Sequence, residues 1–217
     1  MNARPHPSAA LLGFVAGYVD TLCFVALFGL FTAHVTGNFV LIGSELVHPS
    51  QGMLLKWLAF PAFVLGVVAA SLLTLRGADR QRGSARSLLL LQCLLLACGM
   101  FAGIPAHPAS PVHDGWSIAA GVLVAAAMGV QNAAARLAWE ALGPTTVMTG
   151  NVTQVVIDLV DVVREGAVVA RARVPKLALP ILGFALGAIS EAIAYDALRF
   201  WGLLVPLVLL AALAVRS

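Results

Sequence analysis

Six apolar runs, at roughly 9–32, 54–75, 87–104, 116–138, 176–196 and 199–215, occupy most of this 217-residue chain. A helix crosses the hydrocarbon core of a bilayer, about 30 Å thick, with about 20 residues. Inside that core every backbone amide must find its partner within the protein, which restricts such runs to helices. Composition closes the soluble alternative. The chain is 60% hydrophobic and 11% charged, with a mean hydropathy of +0.95, whereas soluble domains carry about 25% charged residues. Too few charges remain to cover a globule in water, and a disordered segment would be far more polar. The expected fold class is an all-α polytopic membrane protein, one integral membrane domain over 1–217, with the lipid bilayer as its main partner. The start, Met1 to Arg4, could introduce a signal peptide, but the apolar stretch runs past Asp20 to Phe31 without a cleavage box. A retained first span is expected.

Two shorter segments decide the topology. One, about 34–47, contains His34, Thr36, Gly37, Asn38 and Glu45; the other, about 145–163, contains Thr149, Gly150, Asn151, Gln154 and Asp158. Arg76, Arg80, Arg82 and Arg86 crowd one predicted loop, Arg164, Arg171, Arg173 and Lys176 another, and 104–114 has no Lys or Arg. If both short segments crossed the bilayer, giving eight spans, the two basic loops would fall on opposite sides, against the positive-inside tendency. If both return to their side of entry, both basic loops and both termini face the cytoplasm. Six transmembrane helices plus two short re-entrant or broken helices is therefore the expected arrangement.

The short segments also align with each other. Thr36-Gly37-Asn38 matches Thr149-Gly150-Asn151 at an offset of 113, and Glu45-Leu46 matches Asp158-Leu159 at the same offset. Upstream, Gly17 and Asp20 stand opposite Gly129 and Asn132, and downstream Phe63-Val64-Leu65-Gly66 resembles Phe184-Ala185-Leu186-Gly187. This pattern predicts two repeats, about 9–104 and 116–215. Three spans per repeat forces the halves into inverted orientation, an arrangement that commonly builds transporters with a site near the midplane. Irregular backbone at membrane depth is tolerated only where protein buries it or water reaches it. The two Thr-Gly-Asn breaks are expected to meet near the centre, with Gly permitting the turn and Thr and Asn capping the half-helix that follows. A purely structural role as buried helix caps is the competing explanation.

The pairs Gly17-Tyr18-Val19-Asp20 with His34-Val35-Thr36-Gly37-Asn38, and Gly129-Val130-Gln131-Asn132 with Val147-Met148-Thr149-Gly150-Asn151, resemble the YoaK family of bacterial membrane proteins over nearly the whole chain. That resemblance implies a bacterial inner-membrane protein and no established activity.

Polar side chains at membrane depth usually face an interior or a water-filled path. Asp20 is predicted about 17 Å into the first span at 1.5 Å per residue, close to the midplane, with Asn132 as its repeat mate beside Gln131. Asp20 either carries a proton or cation, or simply bonds a neighbouring helix, and His34 could partner it. Asn151, Gln154 and Asp158 form one stripe of the second short segment, with Asn38 and Glu45 its sparser counterpart. Candidate solute-lining residues are thus Asp20, His34, Thr36, Gly37, Asn38, Glu45, Gln131, Asn132, Thr149, Gly150, Asn151, Gln154 and Asp158. Arg136 and Glu140 are expected to pair, and Glu191, Asp196 and Arg199 to anchor the last outer turn.

Small-residue spacings at Gly13/Gly17, Gly99/Gly103 and Gly183/Gly187 predict close helix packing. No catalytic motif or metal-ligand spacing is present, so no enzyme, metal or cofactor is expected, and the basic residues report topology instead of nucleic-acid binding. A small-solute transporter, with coupling to protons through Asp20, is the expected function. A passive channel and a non-transporting scaffold or sensor are its alternatives. Homo-oligomer formation stays open.

Overall fold

The computed structural model describes residues 7–49, 52–75, 82–106, 115–139 and 143–216. Among these residues the chain is all helical, in the order α1 (Pro7–Ala26), α2 (Gly37–Val47), α3 (Met53–Leu75), α4 (Arg82–Gly103), α5 (Gly115–Leu137), α6 (Met148–Glu165), α7 (Val168–Leu198) and α8 (Leu204–Arg216), with a 3-10 turn at Arg199–Leu203 before α8. Five stretches are long and apolar enough to cross a membrane: Ser8–Ala26, Met53–Leu75, Ala85–Gly103, Gly115–Leu137 and Val168–Arg216. The last is 49 residues long and contains both α7 and α8.

Two boundaries differ from the expected ones for local reasons. The first span ends at Ala26 and not near residue 32, because Phe28 (φ 57°) and Gly29 (φ 76°) take left-handed backbone that a helix cannot continue. In the second half, α7 begins eight residues early, at Val168, and has 31 residues. That is about 46 Å at 1.5 Å per residue, more than a hydrocarbon core requires. Arg171, Arg173 and Lys176, expected in a loop, therefore lie on its first turns. The Arg76–Arg82 cluster, residues 107–114 and the Arg136–Glu140 pair lie wholly or partly outside the described residues and side chains.

Glycine sets the closest helix crossings. A Cβ on Gly13 or Gly17 of α1 would strike the backbone carbonyl of Pro180 or Phe184 on α7, and one on Gly183 or Gly187 would strike that of Ala10 or Phe14. Across the molecule α3 meets α5 in the same way: Gly66 lies against the Ala126 carbonyl and Gly129 against the Phe63 carbonyl. Of the other pair, Gly103 lies against the ring of Phe200 and Gly99 against Val124. Backbones can approach this closely only where no side chain intervenes, and the approach supplies the dispersion contacts that hold helices together in lipid.

The interior is aliphatic, built on Leu12, Leu22, Leu96, Val124, Met128 and Leu210. The outer surface is equally apolar. Leu65 on α3, Leu94 on α4, Leu186 and Ile193 on α7 and Val208 on α8 are each at least 60% exposed. In water such a surface would drive aggregation; against acyl chains it is the required covering. Trp57, Trp116 and Trp201, all about half exposed, sit at helix ends, where indole rings favour the membrane interface.

Candidate functional site

Between α1 and α2, residues 27–36 form an irregular crossover whose backbone polar groups are bonded by side chains. Asp20 is buried on α1. Its Oδ1 accepts the Thr32 and Ala33 amides at 2.7 and 2.8 Å and the Thr32 hydroxyl at 3.3 Å, while Oδ2 lies 2.8 Å from His34 Nδ1. His34 is partly exposed and meets the Phe184 ring edge-on at 5.1 Å. Asn38, the third residue of the first Thr-Gly-Asn, reaches back seven positions: its Nδ2 donates to the Phe31 carbonyl at 2.7 Å, and its Oδ1 accepts the Phe31 amide at 2.9 Å. Lys56 on α3 is 2% exposed and donates to the Phe28 carbonyl and to Glu45, both at 2.6 Å. The left-handed Phe28 is thus tied down by a buried ammonium whose charge Glu45 balances.

The second crossover, between α5 and α6, uses the same parts in a more neutral form. Asn151 Nδ2 donates to the Pro144 carbonyl, again seven positions back, at 2.8 Å. Asn132 Nδ2 donates to Thr146 Oγ1 at 2.7 Å. The fully buried Gln131 donates to the Leu12 carbonyl at 2.8 Å and, at 3.5 Å, to Thr145 Oγ1, and accepts from Gln92 at 2.7 Å. Asp158 is buried on α6 and held by the Arg173 guanidinium and by Gln154, the latter at 2.8 Å. The Arg173 hydrogen bonds keep the Asp158 carboxyl below the usual carboxylate range, aided by the bond from Gln154. An open cleft of about 270 Å³ borders this crossover, lined by Asn132, Ala135, Arg136, Gly143, Pro144, Thr146 and Val147.

Each Thr-Gly-Asn divides its labour in a way the tripeptide alone does not reveal. Helix α2 starts at Gly37 and α6 at Met148, so the breaks fall at or next to the motifs. Thr36 makes no side-chain cap, and neither does Val147 at the start of α6. Thr36, Thr149 and Gly150 are exposed, Gly37 is partly covered, and Asn38 and Asn151 are buried. Capping by threonine is thus replaced by asparagine bonding to the incoming chain. The two crossovers are also held apart. One is tied to α1 at Asp20, the other through Gln131 at Leu12, about 12 Å along the helix at 1.5 Å per residue. Lys56, Gln92 and Arg173 were missed as partners. Lys56 and Gln92 are polar interruptions inside apolar runs, the signal that singled out Asp20.

A chain with five membrane-length apolar stretches among its described residues, a lipid-compatible surface and polar groups concentrated at broken helices is a polytopic integral membrane protein. It belongs to the family described as "Protein of unknown function (DUF1275)", which matches residues 8–216. It is similar to the UPF0700 transmembrane protein YoaK of Bacillus subtilis (strain 168), with 30% identity over 211 residues, covering 93% of this chain and 88% of that protein. The resemblance to a YoaK-type family is thereby established. No solved structure matches the chain.

Proposed function

We propose that this protein is a small-solute transporter of the bacterial inner membrane, with no enzymatic activity, built from two inverted three-span repeats. In this scheme α1, α3 and α4 correspond to α5, α7 and α8, the half-helices α2 and α6 are re-entrant, and both termini face the cytoplasm. One observation carries the proposal: both half-helices open on a buried asparagine that bonds a carbonyl seven residues upstream in an irregular crossover. Asn38 and Asn151 are the same residue of the two Thr-Gly-Asn motifs. The matched glycine crossings, Gly17 on Phe184 and Gly129 on Phe63, support the same twofold relation.

Broken helices whose backbone is bonded by side chains are where transporters commonly place solute. The cleft beside this crossover presents Asn132, Arg136 and Thr146 among apolar neighbours, and these three groups suit a solute bearing a carbonyl or an anionic group. Asp20 and Glu45 support the first crossover, and Asp158 ties α6 to α7, through the bonds described above. Purified protein in proteoliposomes should accumulate such a solute against its gradient, and Arg136→Ala should reduce uptake severalfold without loss of folded protein. Equilibration without accumulation would instead identify a passive channel, and absence of flux across a broad solute panel would sink both. For the topology, cysteines placed at Ser84 and Ala167 on a cysteine-free background should label from the same side. Labelling from opposite sides would restore eight spans.

A further inference from the structure

Glu191 is the acidic residue whose position departs most from expectation. Grouped with Asp196 and Arg199 it reads as an anchor of the outer turn, yet its side chain is 0% exposed, buried where α7 meets α1 and the 3-10 turn. Neither carboxylate oxygen completes a hydrogen bond, and neither does the hydroxyl of Tyr18, 2% exposed on α1. The two side chains interact electrostatically across a space that Gly202 leaves open. A Cβ on Gly202 would lie 3.1 Å from both Tyr18 Oη and Glu191 Oε2, and 3.4 Å from Oε1. The other titratable groups in electrostatic reach are Cys23 on α1 and Tyr195 on α7, while Arg199 acts on Tyr195 one turn further along. Among the described residues no basic side chain acts on Glu191 itself, and α4 and α8 bring no titratable group to it.

An isolated carboxylate so deeply buried has a prohibitive desolvation cost, whereas the neutral acid does not. The fold does not require a carboxyl at this position, as the opposite crossing demonstrates. Glu191 stands four residues after Gly187, and Tyr18 one residue after Gly17. The residues at the same spacing from Gly66 and Gly129 are Ala70 and Val130, which close their crossing with Leu88 in an apolar cluster, all fully buried. Hydrocarbon therefore suffices where helices cross in this register. Glu191 itself lines no cleft among the described residues, but its neighbour one turn on does. A cleft of about 190 Å³ is lined by Tyr195, Arg199 and Phe200 among others, and Tyr195 lies one helical turn from Glu191 on the same face.

We propose that Glu191 is a proton-binding site: a buried carboxyl, partnered by the Tyr18 hydroxyl, that takes up and releases a proton through the cleft at Tyr195. As the coupling site of a transporter it rests on the function proposed above; as a proton-binding site it does not. Full-length protein in lipid nanodiscs, treated with dicyclohexylcarbodiimide, tests it directly. The neutral acid adds across one C=N bond: the carboxyl oxygen bonds the central carbon, the acid proton passes to nitrogen, and the product rearranges to a stable N-acylurea. Peptide mapping should find this adduct at Glu191 and not in Glu191→Gln. Its rate should fall about tenfold per pH unit above the midpoint, and Tyr18→Phe should move that midpoint.

The protonated carboxyl stretch in infrared spectra should titrate in parallel and vanish in Glu191→Gln. Absence of both the adduct and the infrared band between roughly pH 5 and 9, or an adduct rate that ignores pH, overturns the proposal. If Glu191 titrates but proton-driven uptake survives in Glu191→Gln, the coupling role fails and the site stands. If no solute is moved at all, the transport proposal fails and the titration is unaffected.

Discussion

Replacing Asp20 by alanine should release the first crossover, and the size of the effect follows from its bonds. Oδ1 alone accepts two buried amides, from Thr32 at 2.7 Å and Ala33 at 2.8 Å. A buried donor left without a partner costs about 1–3 kcal/mol, so Asp20→Ala should destabilise the protein by about 2–6 kcal/mol. In Asp20→Asn the amide oxygen can take the place of Oδ1 and keep both bonds, losing their charge-assisted part, about 1 kcal/mol each, while the amide nitrogen that replaces Oδ2 can only donate toward His34 Nδ1. The asparagine variant should therefore be clearly milder than the alanine one. Cys23 is fully buried and one turn from Asp20, whereas Cys93 is partly exposed and Cys98 exposed, so on a Cys93→Ala/Cys98→Ala background a thiol-reactive fluorogenic dye reports thermal unfolding in detergent as the Cys23 thiol becomes accessible. At about 2–4 °C per kcal/mol for a chain of this size, the alanine variant should unfold many degrees early. Equal midpoints for Asp20→Ala and wild type, or equal damage from alanine and asparagine, would refute this account of the crossover.

Adding one methyl at Gly66 or Gly129 drives it into a backbone carbonyl, whereas Gly43 has open space around it; overpacking should lower stability by about 1–3 kcal/mol at the first two and leave Gly43→Ala near wild type in the same thermal assay. Lys56→Met removes the ammonium that bonds the buried Glu45 carboxyl and should cost about 3–5 kcal/mol, much of which the double variant Glu45→Gln/Lys56→Met recovers; additive losses in a double-mutant cycle would contradict the pairing. Because Arg173 depresses the Asp158 carboxyl in the folded state, that tie contributes fully above the unfolded value near about pH 4 and is lost as pH falls through the lower folded value. Hydrogen exchange of α6, corrected for intrinsic rates, should stay flat on moving from neutral to mildly acidic pH and rise only below that range.

Membrane class, all-helical character and the positions of the two breaks were legible in the chain because they depend on local quantities. Hydropathy over about twenty residues determines a span, and a Gly-Asn step inside an apolar run marks where a helix restarts, as α2 and α6 do near Gly37 and Gly150. Family membership was legible for the same reason, carried by short motifs in order. The partnerships were not. Asp20 serves the crossover amides, Asn38 and Asn151 bond carbonyls seven residues upstream, and Thr36 makes no cap. These outcomes depend on how the chain re-enters after each turn. Glu191 shows the limit most clearly. By spacing alone it belongs with Asp196 and Arg199 at an outer turn, and only the crossing of α7 on α1, brought close by Gly17 and Gly187, rotates it inward beside Tyr18. Hydropathy records what a helix is made of; its neighbours decide which of its faces meets lipid and which meets protein.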